Sequence, residues 1–207
     1  MEWYEKISIK IVDFVEKQLS DTTSDERDRI KYGIEALLVN LGKLPLLFIL
    51  AYLFGVLKQF SMIFLLYGCL RTFAGGFHAK TSLSCTIISI ISFSLMTYLA
   101  MTVYPNPLIK IIMFFISIII LAVYAPADNE EKPIVNRKHR IILRIFSYIT
   151  AGTYITASYL IKNEFIVNTL FYCIIFECFY VSPIPYKIFN RRWRNYEYFL
   201  GSYSKNC

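Results

Sequence analysis

The sequence predicts an all-α, polytopic membrane protein with about six transmembrane helices and an N-terminal amphipathic helix at the membrane interface. Three observations lead there. Of 207 residues, 56% are hydrophobic and the mean hydropathy is +0.48, beyond an ordinary soluble domain. The apolar residues fall in six blocks, each long enough to cross a hydrocarbon core of about 30 Å. Lys and Arg concentrate in alternate connections between those blocks.

Residues 3–20 place Ile7, Ile11, Phe14, Val15 and Leu19 on one helical face, with Lys6, Lys10, Asp13, Glu16 and Lys17 mostly off it. Such a helix lies on the membrane surface or packs against the rest of the protein. Glu2, Glu5 and the other charges of this stretch break any apolar signal core, so the sequence predicts no cleavable signal peptide. A polar link over 20–27 follows, in which Ser24 is a helix-capping candidate. The apolar blocks then run over 32–57, 59–74, 83–103, 107–125, 141–160 and 164–185. The second is marginal, because Arg71 lies near its end. Pro105 and Pro107 turn the chain between the third and fourth, and a polar, proline-bounded loop over 125–134 separates the fourth from the fifth. The tail from Lys187 is basic and aromatic. The predicted organisation is a cytoplasmic amphipathic segment over 1–31, a six-helix membrane domain over 32–186 and a basic cytoplasmic tail over 187–207.

With six crossings, 18 of the 22 Lys and Arg residues fall on one side and three on the other, and Lys43 lies within the first span. The positive-inside rule then puts both termini in the cytoplasm of a multi-pass cell-membrane protein. The formal net charge of +7 has the same source and suits anionic lipid. The basic residues sit in short loops at the membrane surface, which argues against a nucleic-acid partner. Five cysteines form neither a disulfide framework nor a CxxC metal site, and two histidines without HExxH argue against a zinc protease. No metal or other cofactor is expected.

The stretch most suited to chemistry is Arg71-Thr-Phe-Ala-Gly75-Gly76-Phe-His78-Ala-Lys80-Thr-Ser-Leu-Ser-Cys85. His78 and Cys85 form a candidate base–nucleophile pair, since an imidazole can take the proton of a thiol whose free pKa is about 8.5. On one unbroken helix, residues seven apart lie about 10 Å apart along the axis. Direct contact therefore needs a bend, which Gly75-Gly76 permits. The same topology puts this site on the cytoplasmic side, where a thiol stays reduced. Arg71 either binds a carboxylate or developing oxyanion, or anchors a helix end at the interface. Ser82 and Ser84 are weaker nucleophile candidates with no second base in view, and His139, within Arg137-Lys138-His139-Arg140, reads as basic surface.

Ionisable groups inside spans usually face a bundle interior. Glu35, Asn40 and Lys43 lie in the first span and Glu177 in the sixth. Lys43 and Glu177 are a candidate pair across helices, either fixing register or serving the chemistry. Pro45 would kink the first span beside them. Glu35 lies nearer the cytoplasmic end and is a candidate to orient His78.

Arg71-x-x-x-Gly75-Gly76-x-His78-Ala79 followed by Cys85 resembles the signature of the AgrB (accessory gene regulator protein B) family of membrane-embedded cysteine peptidases. Residues 33–44, including Glu35, and residues 124–134 resemble two further segments of that family. The resemblance covers about 5–190 and leaves out the tail after Arg191. It implies cleavage of a small precursor peptide with an amphipathic N-terminal segment and an acidic C-terminal tail. Cys85 would be the nucleophile and His78 its base, with Glu35, Arg71, Gly75 and Gly76 supporting them. A thioester on Cys85 would then be closed into a cyclic quorum-sensing peptide. Asn40, Lys43, Lys80, Asp128 and Lys132 are the candidate substrate contacts. The implied partners are the precursor, membrane lipid and a second copy in a homodimer. The residues alone also admit a small transporter lined by Glu35, Asn40, Lys43 and Glu177, or a membrane scaffold without chemistry.

Overall fold

The computed structural model describes residues 3–18, 24–130 and 133–205. These form helices α1 (Trp3–Gln18), α2 (Ser24–Leu53), α3 (Leu57–Ala74), α4 (Ser82–Thr102), α5 (Pro107–Tyr124), α6 (Arg137–Leu160), α7 (Glu164–Val181), α8 (Pro183–Ile188) and α9 (Asn195–Lys205). The all-α expectation holds, and α2 to α7 follow the six apolar blocks. The sixth ends at Val181 rather than 185, because Ser182 caps α8 and Pro183 starts it.

The chain divides into two compact units, Met1–Phe54 and Gly55–Cys207. In the first, α1 packs on α2. Ser8 and Val12 are buried, and Ser8 Oγ donates to Glu35 Oε1 at 2.9 Å. Arg27 pairs with Asp13 at 3.0 Å. Ile7, Ile11 and Phe14 remain exposed on the other flank. One edge of this helix thus packs against α2, and the apolar stripe stays outward. α2 starts at Ser24 and continues through Pro45.

In the second unit, α7 is the central helix, packed against α3, α4, α5 and α6. Its buried residues run without a polar face, from Asn168 to Ile174 and through Glu177, Cys178, Tyr180 and Val181. A helix buried all round needs internal partners for its polar groups. At one end Asn168 Oδ1 accepts from Lys110 Nζ at 2.8 Å and Asn168 Nδ2 donates to the Val103 carbonyl at 3.3 Å. Phe60, Phe64 and Tyr67 of α3 meet Phe93 of α4 in a ring cluster. On the outside, Ile87, Ile91 and Leu95 of α4 and Ile111, Phe115 and Ile118 of α5 are exposed. Apolar stripes of that extent suit lipid rather than water.

Among the described residues, four segments are long and apolar enough to cross a membrane: Gly33–Leu53, α4, α5 and α7. α3 and α6 fall short of that measure. α3 carries Lys58 and Arg71, and α6 opens on Arg137-Lys138-His139-Arg140 with Arg144 one turn on. Their packing on α7 rather than their own apolarity gives them a place in the bundle.

Candidate active site

The C-terminal ends of α3, α5 and α7 meet the N-terminal ends of α4 and α6 at one end of the second unit, and the connections there are hydrogen-bonded to one another. α3 stops at Ala74 because Gly75 (φ 72°) and Gly76 (φ 125°) adopt conformations that side chains resist. Space is as restrictive as angle. A Cβ at Gly75 would lie 2.1 Å from the Ala127 carbonyl oxygen, and one at Gly76 would lie 2.2 Å from Arg71 Nη1. The glycine pair is thus required for close approach as well as for the expected bend.

The loop is stitched on both sides. Ala127 N–H donates to the Ala74 carbonyl at 2.9 Å and Gly76 N–H to the Ala127 carbonyl at 3.1 Å. Phe77 N–H donates to the Tyr180 carbonyl of α7 at 2.9 Å. Phe77 itself is buried, edge-on to Tyr186 and stacked near Phe189. His78 follows and is exposed. Thr81 then caps α4, with Oγ1 accepting from Ser84 N–H at 3.2 Å. Cys85 lies half-buried in the first turn of α4, its N–H donating to the Thr81 carbonyl at 2.9 Å. His78 and Cys85 are therefore not on one helix, and the axial separation that would keep them apart does not apply.

Arg71, in the last turn of α3, turns back onto its own loop and onto α7. Its Nη2 donates to the Phe77 carbonyl, its Nη1 lies 3.6 Å from Glu177 Oε2, and its guanidinium lies 5.0 Å from the centre of the Tyr180 ring. Glu177 is fully buried. The sequence offered Lys43 as a candidate partner for Glu177; within its own unit Glu177 faces Arg71. Nothing in the spacing reveals this, because Arg71 and Glu177 are far apart in sequence. The usable signal was that each lies one turn from the end of its helix, at the same end of the bundle.

Asp128, a candidate substrate contact from sequence, has partners within the fold. It is 4% exposed and serves the fold. Its Oδ1 accepts from Asn195 N–H at 3.0 Å, and its Oδ2 from Tyr196 N–H at 2.8 Å and Ile134 N–H at 3.3 Å. Burial pushes its carboxyl above the usual aspartate range, and the three backbone donors oppose that rise. The described part of the basic tail is accordingly docked. Arg191 pairs with Glu130 at 3.3 Å, Trp193 packs edge-on to Tyr124 and Arg140 lies over the Tyr196 ring at 3.7 Å. Burial likewise raises the Tyr186 phenol, whose hydroxyl donates to the Asp128 carbonyl at 2.9 Å.

Of the remaining candidates, Lys80 is exposed in the His78 loop. Glu35 is half-buried in α2 with Ser8 and Lys31 as neighbours, and Lys43 is half-buried one helical stretch further on. Lys132 and the side chain of Asn40 lie outside the described residues. Among the described residues, no group of His, Cys, Asp and Glu is arranged to hold a metal ion.

Fold and site together define an all-α polytopic membrane protein with a His–Cys loop built onto one end of its helices. The family described as Accessory gene regulator B matches residues 8–181. An AgrB-like protein of Clostridium acetobutylicum is 33% identical over 168 residues, covering 81% of this chain and 80% of the relative. An AgrB-like protein of Listeria monocytogenes serotype 4a is 32% identical over 171 residues, covering 82% and 83%. The accessory gene regulator protein B of Staphylococcus carnosus is 33% identical over 139 residues, covering 66% and 71%. The chain belongs to the AgrB family. No solved structure matches it.

Proposed function

We propose that this protein is a membrane cysteine endopeptidase that matures a small signal-peptide precursor. The observation that carries the reading is the rigidly held loop that ends α3, exposes His78 and delivers Cys85 into the first turn of α4. In this reading His78 takes the proton of the Cys85 thiol as its sulfur attacks the scissile carbonyl. The carbon–sulfur bond forms, the carbon–nitrogen bond breaks, and the proton passes from His78 to the leaving amine. The acidic C-terminal fragment departs and the rest of the peptide stays as a thioester. A Cys or Ser of the peptide then attacks that thioester, closing a ring and returning a proton to the Cys85 sulfur. Cyclisation keeps the acyl activation that hydrolysis would waste, so the site must restrict water.

Six crossings, with both termini and the site in the cytoplasm, fit the concentration of Lys and Arg at the end that carries the His78 loop. The basic groups there, Lys80 among them, suit an acidic precursor tail, and the exposed stripe of α1 suits the lipid surface on which an amphipathic precursor would lie. A homodimer belongs to the same proposal. The test is cleavage of the precursor by the lipid-reconstituted protein. Wild type should release the C-terminal fragment, and Cys85→Ala and His78→Ala should not. Cleavage by Cys85→Ala at the wild-type rate would overturn the reading.

A further inference from the structure

We propose that Glu177 is a positioning residue for the His78 loop, acting through Arg71. The proposal rests on His78 being the base of the reaction. An ion pair inside a helical bundle is costly, because both charges leave water. A pair that only locked α3 against α7 would turn both charged groups toward each other. Here they are shared out differently. Glu177 is fully buried and its carboxylate faces Arg71 Nη1 at 3.6 Å, without a hydrogen bond between them. The other guanidinium nitrogen, Nη2, is directed to the carbonyl of Phe77, the residue before His78.

The peptide groups on either side of Phe77 are therefore both held by α7. The Phe77 N–H is bonded directly to the Tyr180 carbonyl at 2.9 Å. The Phe77 carbonyl is bonded to an arginine that Glu177 and the Tyr180 ring orient. Gly76 completes the fit, since a Cβ there would collide with the guanidinium and crowd the Tyr180 carbonyl. The Phe77 carbonyl belongs to the peptide plane from which His78 departs. The direction of Arg71 thus sets where the imidazole begins, and the charge on Glu177 sets the direction of Arg71. Removing that charge leaves the guanidinium without its counter-ion and free to turn toward the nearby helix end and water.

The experiment reads the Cys85 thiol itself, so it needs no precursor. Full-length protein carrying Cys69→Ser and Cys207→Ser is reconstituted in lipid, and the rate of Cys85 alkylation by iodoacetamide is followed against pH by peptide mass spectrometry. Into this parent are introduced His78→Ala, Glu177→Gln and Arg71→Lys, each checked for folding by its thermal midpoint. Arg71→Lys keeps a positive charge near Glu177 and loses the fork that reaches Phe77, so it decides the matter should Glu177→Gln fail to fold. The expected result is that both positioning variants move the pH profile toward that of His78→Ala, with alkylation at neutral pH about three- to tenfold slower than the parent. If His78→Ala shifts the profile and the folded positioning variants coincide with the parent, the role of Glu177 is overturned while the Cys–His reading stands. If His78→Ala itself coincides with the parent, that reading fails and takes this proposal with it.

Discussion

Glycine at position 76 meets two demands at once, a positive φ and the passage of a guanidinium where a side chain would be. Gly68, in the same helix as Arg71, meets neither: its backbone is helical, and a Cβ added there would have nothing within 4 Å. The two should respond oppositely to the same substitution. Gly76→Ala should cost about 1–3 kcal/mol through strain and displacement of Arg71. Gly68→Ala should be neutral or stabilising by up to about 1 kcal/mol, because alanine favours the helix. Thermal unfolding in detergent compares them, and equal effects would mean that the tight approach at Gly76 does not exist. At this scale the sequence was informative about identity and poor about partners. The Gly75-Gly76 bend was legible because it is local. The partners of Arg71 and Asp128 were not, because each is reached only when distant helix ends come together.

Among the elements, the connection over 125–136 does more than join α5 to α6. Through Ala127 it pairs with the loop that carries His78, and through Asp128 it holds the start of α9. Replacing Asp128 by Ala would leave three backbone N–H groups without an acceptor, at about 1–3 kcal/mol each if they stayed buried. Releasing the tail into water avoids that cost, so the tail should undock. Asp128→Ala is expected to make trypsin cut at Arg191, Arg192 and Arg194 at least several times faster than in wild type. Glu197→Gln should leave the rate unchanged, since its pair with Arg194 is exposed and worth little. Unchanged protection in Asp128→Ala would show that the staple is not what holds the tail. The helices themselves were readable from apolar blocks, with ends within a few residues except at α2, which begins eight residues before its block because its first turns are polar. The docked tail was not, because its composition matches a free cytoplasmic extension as well as a folded one.

For the whole molecule, the arrangement of α3 to α7 gathers the loops over 75–81, 125–136 and 182–194 at one end, and the short turns over 103–106 and 161–163 at the other. Together with the helix ends beside them, the first set holds most of the cations of this unit, so that end should face the cytoplasm. A fluorescent protein fused after residue 207 should fluoresce, and alkaline phosphatase inserted in the turn over 103–106 should be active. The reverse pattern would invert the topology and place Cys85 on the oxidising side. Composition made the membrane class plain from the outset. It did not show that α3 and α6, the more polar helices, owe their place to packing around α7, because hydropathy counts each segment alone.

The central claim is that Cys85 carries the peptide as a thioester. Wild-type protein, Cys85→Ala and His78→Ala, each reconstituted in lipid, are incubated with the precursor and weighed intact by mass spectrometry. Wild-type protein should carry a peptide-sized adduct that hydroxylamine releases, and Cys85→Ala should carry none. Precursor cleavage by wild type with no adduct on Cys85, or an adduct that persists in Cys85→Ala, would contradict it.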